Sequence, residues 1–279
     1  MNDDFIQSIY SKHQQCVQCP SREEVSNFFL TLLGTLFPNY SRQSHESLNK
    51  FNLHILNLRE ELYEILYTQT KSSGVDAHEA TKAFFDAVPE VYNKLQQDIE
   101  AMYKGDPAAI SNDEVVRSYP GFYAIAAYRF AHQLAGSGVQ IIPRMITEHA
   151  HNMTGIDIHP NAKIGNHFCI DHGTGIVIGE TTEIGDHVKI YQGVTLGALS
   201  VRKEDAKTKR HPTIEDRVVI YSGATILGGN TVIGHDSTIG GNVWITQSIP
   251  PKSKVNYVNK VVSESGDTQE ATIIKSTTA

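Results

Sequence analysis

Between Ile158 and Ile245 an aliphatic residue, followed by Gly or another small or acidic residue, recurs every six positions. The register runs through Ile158, Ile164, Ile170 and Ile176, shifts to Ile178, and continues through Ile184, Ile190 and Leu196. It resumes at Ile214, Ile220 and Ile226, then slips once so that Ile233, Ile239 and Ile245 carry its end. An α-helix repeats at 3.6 residues and a half-buried strand at 2, so neither alone produces this period. A solenoid of triangular coils does: three short strands per coil, each turning one aliphatic residue inward, with Gly, Asn or Asp at the corners. Gly165, Gly179, Gly185, Gly234 and Gly240 sit at or near those corners. A β-sandwich with frequent turns is the alternative, and its strands would alternate at period 2.

The region before the repeat reads as helical. Val25, Phe28, Phe29, Leu32, Leu33 and Leu36 fall at helical spacing over 22–37, and Phe51, Ile55, Leu58, Leu62 and Ile65 over 46–67. Asp76, with Glu79 three residues on, marks a helix start. That helix is expected to run, interrupted at Pro89, towards Met102, and to stop at Lys104-Gly105-Asp106-Pro107. Another follows Tyr119-Pro120-Gly121, and a connecting helix through Met145 and His149 leads into the coils near Gly155. The chain is therefore read as α+β: an α-helical N-terminal domain over 1–154, a parallel β-helix over 155–250, and a polar tail over 251–279. The stretch 199–212 breaks the repeat and leaves the solenoid as a loop, carrying Arg202, Lys203, Lys207, Lys209 and Arg210.

With 279 residues the chain can bury two cores, and a net charge of −7 argues against nucleic acid or an anionic membrane as the main partner. No apolar run reaches the ~18 residues of a membrane span, and the acidic start lacks a signal-peptide pattern, so a cytoplasmic location is expected. Cys16 and Cys19 form a lone CxxC without the second pair that a structural zinc site uses.

Thirteen histidines are present. The sharpest group is Asp157-Ile158-His159-Pro160, Asp171-His172-Gly173-Thr174-Gly175 and Lys209-Arg210-His211-Pro212. With three six-residue strands to a coil, Asp157 and His172 are expected on neighbouring coils, near enough for the carboxylate to fix the imidazole tautomer and increase its basicity, as a general base requires. The bland reading of His172 is a corner histidine bonded to backbone, and that of Arg210 a solvated loop charge.

Taken in order, Gly105-Asp106-Pro107-Ala108, Pro120-Gly121-Phe122, Tyr128-Arg129, Asp157-Ile158-His159-Pro160, Asp171-His172-Gly173-Thr174-Gly175, Gly179-Glu180-Thr181, Val194-Thr195-Leu196-Gly197, Arg210-His211-Pro212 and Ile226-Leu227-Gly228 resemble the serine acetyltransferases. These are hexapeptide-repeat enzymes that make O-acetylserine from serine and acetyl-CoA for cysteine synthesis. The resemblance covers roughly 95–250. It implies a left-handed coil, His172 as general base with Asp157 orienting it, Asp106 and Asp171 on the serine ammonium, and Arg210 and His211 on its carboxylate. It implies acetyl-CoA as co-substrate, with Gly197, Ala198, Gly223 and Ala224 at the small-residue positions along the pantetheine groove, and no metal. Lys203, Lys207 and Lys209 are within range of CoA phosphates on this reading, against the blander one of a solvated face. A site formed between neighbours of a homotrimer is implied, as is a dimer of trimers through the helical domain, and cysteine as feedback inhibitor in the serine pocket.

Two segments depart from the family pattern. A Gly-Val-Pro-Ala run after the last coil is replaced by Pro250-Pro251-Lys252-Ser253, and the C-terminal Ile that docks many members into O-acetylserine sulfhydrylase has no counterpart in Lys275-Ser276-Thr277-Thr278-Ala279, although Ile273 and Ile274 lie nearby. A complex with the sulfhydrylase is not expected by that route. Three rivals remain. One is a γ-class carbonic anhydrase using His167, His172 and His187 on a metal; the others are an acetyltransferase acting on a sugar or antibiotic hydroxyl, and a non-catalytic scaffold.

Overall fold

The computed structural model describes residues 1–15, 20–41, 44–199 and 208–256, without the side chains of 15 and 69–73. Cys16, Cys19, Arg202, Lys203, Lys207, Ile273 and Ile274 lie outside the described residues.

Helices come first: α1 (Asp3–Gln15), α2 (Arg22–Leu36), α3 (Leu48–Ser73), α4 (Ala77–Gly105), α5 (Asn112–Ser118), α6 (Pro120–Gly136) and α7 (Ile141–Thr154). Ser21 opens α2 with a reciprocal cap, its hydroxyl accepting from Glu24 N–H while the Glu24 carboxylate accepts from Ser21 N–H. Val25, Phe28, Phe29, Leu32 and Leu33 then bury one face of α2. Asp76 caps α4 by accepting from the N–H groups of His78 and Glu79. Pro89 does not interrupt α4, contrary to the sequence expectation. A proline inside a helix forfeits one backbone bond, and burial of Phe84, Val91, Leu95, Ile99 and Met102 along α4 offsets it. The helix ends at Gly105, leaving Asp106 extended. Among the described residues no helix is long and apolar enough to cross a membrane.

The C-terminal part is a left-handed parallel β-helix of about five turns. Its first face stacks β1 (Asp157–Ile158), β4 (Val177–Ile178), β7 (Thr195–Gly197), β10 (Thr225–Leu227) and β13 (Trp244–Ile245). The second stacks β2 (Lys163–Ile164), β5 (Glu183–Ile184), β8 (Thr213–Ile214) and β11 (Val232–Ile233). The third stacks β3 (Cys169–Asp171), β6 (Lys189–Tyr191), β9 (Val219–Ile220), β12 (Thr238–Ile239) and β14 (Lys254–Val255). All pairings are parallel, and each inward aliphatic lies on another: Ile158 on Ile178, Ile178 on Leu196, Leu196 on Ile226, Ile226 on Ile245. Strands of two or three residues persist because their backbone bonds run to the coils above and below.

The breaks in the six-residue period now have locations. Asp157 pairs with Val177 and Val177 with Thr195, so the first coil is slightly longer than the second. The excess falls at the edge between the third and first faces, in the corner that carries His172. The coil from Thr195 to Thr225 is the longest, because the 199–212 loop leaves the edge between the first and second faces. Thr225 pairs with Trp244, and that coil holds the single slip near Ile233.

Helices α4, α6 and α7 pack on β1 and β3, capping the first coil. Tyr128 donates to the Ala162 carbonyl (2.6 Å) and accepts from Ile164 N–H (3.1 Å). Arg129 binds Asp98 through Nε (2.5 Å) and Nη2 (2.8 Å), and Nη2 also donates to the Gly165 carbonyl (2.8 Å). Asp98 accepts from Phe168 N–H as well (2.9 Å). This buried pair locks the helical part to the first coil.

Candidate active site

His172 stands at the widened corner with a left-handed backbone, φ 58°. That conformation is not peculiar to it, since His167, His187, Arg217 and Asp236 adopt it at other corners. What sets His172 apart is its surroundings. Its side chain is 72% exposed, while the Asp171 carboxylate beside it is only 10% exposed, with Oδ1 3.8 Å from Nε2. Asp171 Oδ2 takes an ion pair from Lys189 Nζ at 2.8 Å. Asp106, just past the end of α4, accepts from the Tyr119 hydroxyl (2.5 Å) and Ala108 N–H (2.8 Å). Those bonds, chiefly the one from Tyr119, hold its carboxyl below the usual range, so it is an anion at neutral pH. Asp106, Asp171 and His172 thus gather at one edge of the prism.

Asp157 does not join them. Its carboxylate takes Arg144 Nη1 of α7 at 3.1 Å, and among the described residues the carboxylate within 4 Å of His172 is Asp171. The expected pairing of Asp157 with His172 is therefore not formed within one chain. The place above Asp157 belongs to Val177, and His172 stands in the preceding corner, between the third and first faces.

Arg210 and His211 lie at the other edge of the first face. Arg210 is ion-paired to Glu180. Its backbone N–H and that of His211 donate to Thr181 Oγ1 (2.9 and 3.1 Å). Thr181 N–H in turn donates to His211 Nδ1 (3.0 Å), and Lys209 Nζ to the Thr181 carbonyl (3.0 Å). The returning end of the basic loop is thereby fastened to the 180–181 corner. The imidazole packs against Gly179, where any side chain would collide with it. With Nδ1 accepting, the hydrogen-bond network assigns the ring proton to Nε2, which makes His211 a neutral donor suited to a carboxylate.

Burial pushes the His211 imidazole down to about 4, and Arg210 acts in the same direction. An unfolded histidine titrates near ~6.5. Between those values the unfolded chain takes up a proton that the folded chain refuses, so this contribution to stability is full above pH ~6.5 and is lost as the pH falls towards 4. Melting temperatures measured from about pH 7 down to about pH 5 should fall in the native protein and fall less steeply in His211→Asn. Equal slopes would contradict the assignment.

The four small residues expected along a CoA groove separate. Gly197 and Ala198 are part-exposed. Gly223, at φ 70°, is a tight corner against Asn242. Ala224 is fully buried, so its methyl fills the coil interior and offers a ligand no surface, which corrects the reading that placed it on the groove. The carbonic anhydrase ligand set does not assemble within the chain either. His167 and His187 stack face to face (4.3 Å, 8°) at the edge between the second and third faces, one edge away from His172.

Lys189, Glu180, Thr181 and Arg144 were not individually recognisable as functional groups in the sequence. Glu180 and Thr181 stood within a family motif. Lys189 had no signal, because an outward lysine on a strand looks like any solvated charge.

Coils of this geometry, with an imidazole and carboxylates at a widened corner and a basic loop returning to the next edge, define a hexapeptide-repeat acyltransferase. No protein-family model matches the chain. A serine acetyltransferase (plasmid) of Synechococcus elongatus is 44% identical over 260 residues, covering 85% of this chain and 81% of that protein. Among solved structures, serine acetyltransferase isoform 3 of Entamoeba histolytica in complex with cysteine superposes with a TM-score of 0.73 at 38% identity, over 85% of this chain and 83% of that one. The serine acetyltransferase of Neisseria gonorrhoeae in complex with serine gives 0.59 at 26%, over 89% and 95%. The chain belongs to the serine acetyltransferase family.

Proposed function

We propose that this protein transfers the acetyl group of acetyl-CoA to the hydroxyl of L-serine, giving O-acetylserine for cysteine synthesis. His172 removes the hydroxyl proton as the oxygen attacks the thioester carbonyl. The tetrahedral intermediate then expels the CoA thiolate, which recovers the proton from the imidazolium. Asp106 and Asp171 receive the ammonium, and Arg210 with the Nε2–H of His211 receives the carboxylate, as a zwitterion requires. Gly197 and Ala198 line the approach of acetyl-CoA. Cysteine carries the same ammonium and carboxylate and competes for the same pocket.

The observation that carries this reading is the division of these groups between two edges of one face. A substrate as small as serine does not reach both edges of one prism. A second copy packed around a threefold axis brings one edge against the other, giving a trimeric enzyme that the helical domain can double. In that arrangement Asp157 is also available to a neighbour's His172. The division into a helical assembly domain over 1–154, a catalytic coil over 155–250 and a tail beyond follows from the same reading.

Co-expression of two inactive chains tests it. One carries His172→Ala and the other Arg210→Ala. In randomly mixed trimers about a quarter of the sites combine an intact corner with an intact loop, so serine-dependent thiol release should return to roughly that fraction of the native rate. No recovery would place the whole site within one chain.

A further inference from the structure

One side chain joins the Asp171 carboxylate of the proposed ammonium site to the backbone that carries Asp106. Lys189, on β6, donates to the Gly105 carbonyl at 2.6 Å and pairs with Asp171 Oδ2 at 2.8 Å. Its ammonium also lies 4.3 Å from the centre of the Tyr191 ring, which is stacked on Tyr221 at 5.0 Å. Only 16% of the Lys189 side chain is exposed. A lysine so placed is not a solvated face charge. It ties the last carbonyl of α4, one residue before Asp106, to the carboxylate next to His172.

We propose that Lys189 is a positioning residue for the acetyl transfer: it compensates the charge of Asp171, so that this carboxylate is held in place for the substrate ammonium without locking His172 as an imidazolium. The inference rests on the reading that Asp106 and Asp171 hold the ammonium. Asp171 lies between the two side chains, one oxygen on the Lys189 ammonium and the other 3.8 Å from His172 Nε2. An uncompensated carboxylate at that distance favours the protonated imidazole, which cannot take a proton from serine. With Lys189 in place, Asp106, Asp171 and Lys189 sum to a single negative charge, which matches one ammonium.

Other charged and titratable groups face the cluster. Cys169 and Asp171 come from β3 and Tyr191 from β6, with Asp106 beyond α4; Tyr119 precedes α6 and Glu114 comes from α5. Burial pushes the Cys169 thiol up to about 12, so it adds no charge near neutrality. Burial works against the Lys189 ammonium, but its bonds to Asp171 and Tyr191 more than offset this and raise it.

The test is the pH profile of kcat/KM for serine, whose acid limb reports the free enzyme's base. Lys189→Met removes the compensating charge and should move that limb to higher pH by about half a unit or more, lowering kcat/KM several-fold below the limb. Lys189→Arg keeps the charge and should leave the limb within about 0.2 units of the native position. Asp171→Asn removes the carboxylate beside the imidazole and should move the limb to lower pH, opposite to Lys189→Met. If Lys189→Met does not fold, Lys189→Gln, which keeps a hydrogen-bond donor towards Asp171 and the Gly105 carbonyl but carries no charge, should give the same upward shift and carries the test. A limb unmoved in Lys189→Met, or unmoved or raised in Asp171→Asn, overturns the proposal. Asp106→Asn separates the ammonium site from the role of Lys189. If it leaves the KM for serine unchanged, the reading of the ammonium site fails. If it raises that KM while the limb of the Lys189 and Asp171 variants stays fixed, only the role of Lys189 fails.

Discussion

His172→Ala should lower the turnover of serine with acetyl-CoA by roughly 10²–10⁴-fold, the usual loss when a general base is removed. The fold should survive. The side chain is 72% exposed in the single chain and contributes nothing to the coil interior. Its left-handed backbone costs an alanine about 1 kcal/mol, so His172→Asn, which tolerates that conformation better, separates strain from chemistry. Both variants should lose turnover alike, measured as thiol release, and the melting temperature of the Asn variant should stay within a few degrees of native. Near-normal turnover in either would remove His172 from the mechanism.

Asp98→Ala should have the largest effect on stability. Asp98 is fully buried, bound twice by Arg129 and once by Phe168 N–H. Removing one partner of a buried pair leaves the other charge uncompensated, at a cost of about 3–5 kcal/mol. For a chain of this size that corresponds to a fall in melting temperature on the order of 10 °C. The double variant Asp98→Leu with Arg129→Met removes both charges and should recover part of the loss. If the double variant is worse than Asp98→Ala by the full effect of a second independent lesion, the two side chains do not act as a pair. The helical part and the first coil meet at this pair, so its loss should also loosen the corner that carries His172.

Much of this architecture was legible in the sequence because a β-helix repeats its core one residue at a time. Ile178, Leu196, Ile226 and Ile245 are inward in the sequence register and inward in the fold. The shift between Ile176 and Ile178, visible as a flaw in the period, is the widened corner itself. Helix ends at Gly105 and Gly155 were legible from local chemistry, whereas the continuity of α4 through Pro89 was not, because its cause is packing against distant residues. The site was legible as residue types and only partly as geometry. Asp106 comes to Asp171 and His172 from a segment far away in the chain, beyond the reach of any local spacing rule. Asp157 is drawn to Arg144 instead, a partner that comes from α7 and that no coil spacing reveals. Lys189 became visible only once β6 was laid beside β3 and the end of α4.

The placement of the helical cap determines how this solenoid comes apart. In a stack where each coil touches only its neighbours, loss of order spreads inward from an unsupported end. One end is clamped by α4, α6 and α7 through Tyr128, Arg129 and Asp98. The other closes on β13 and β14, where Trp244 is largely exposed. Among the described residues no helix packs on that end, so fraying is expected to begin at the coil of Trp244 and to cross the anchored end of the basic loop before it reaches His172. The reactive corner should then be in the last coil to melt, with amide exchange around Asp171 and Lys189 slower than around Trp244.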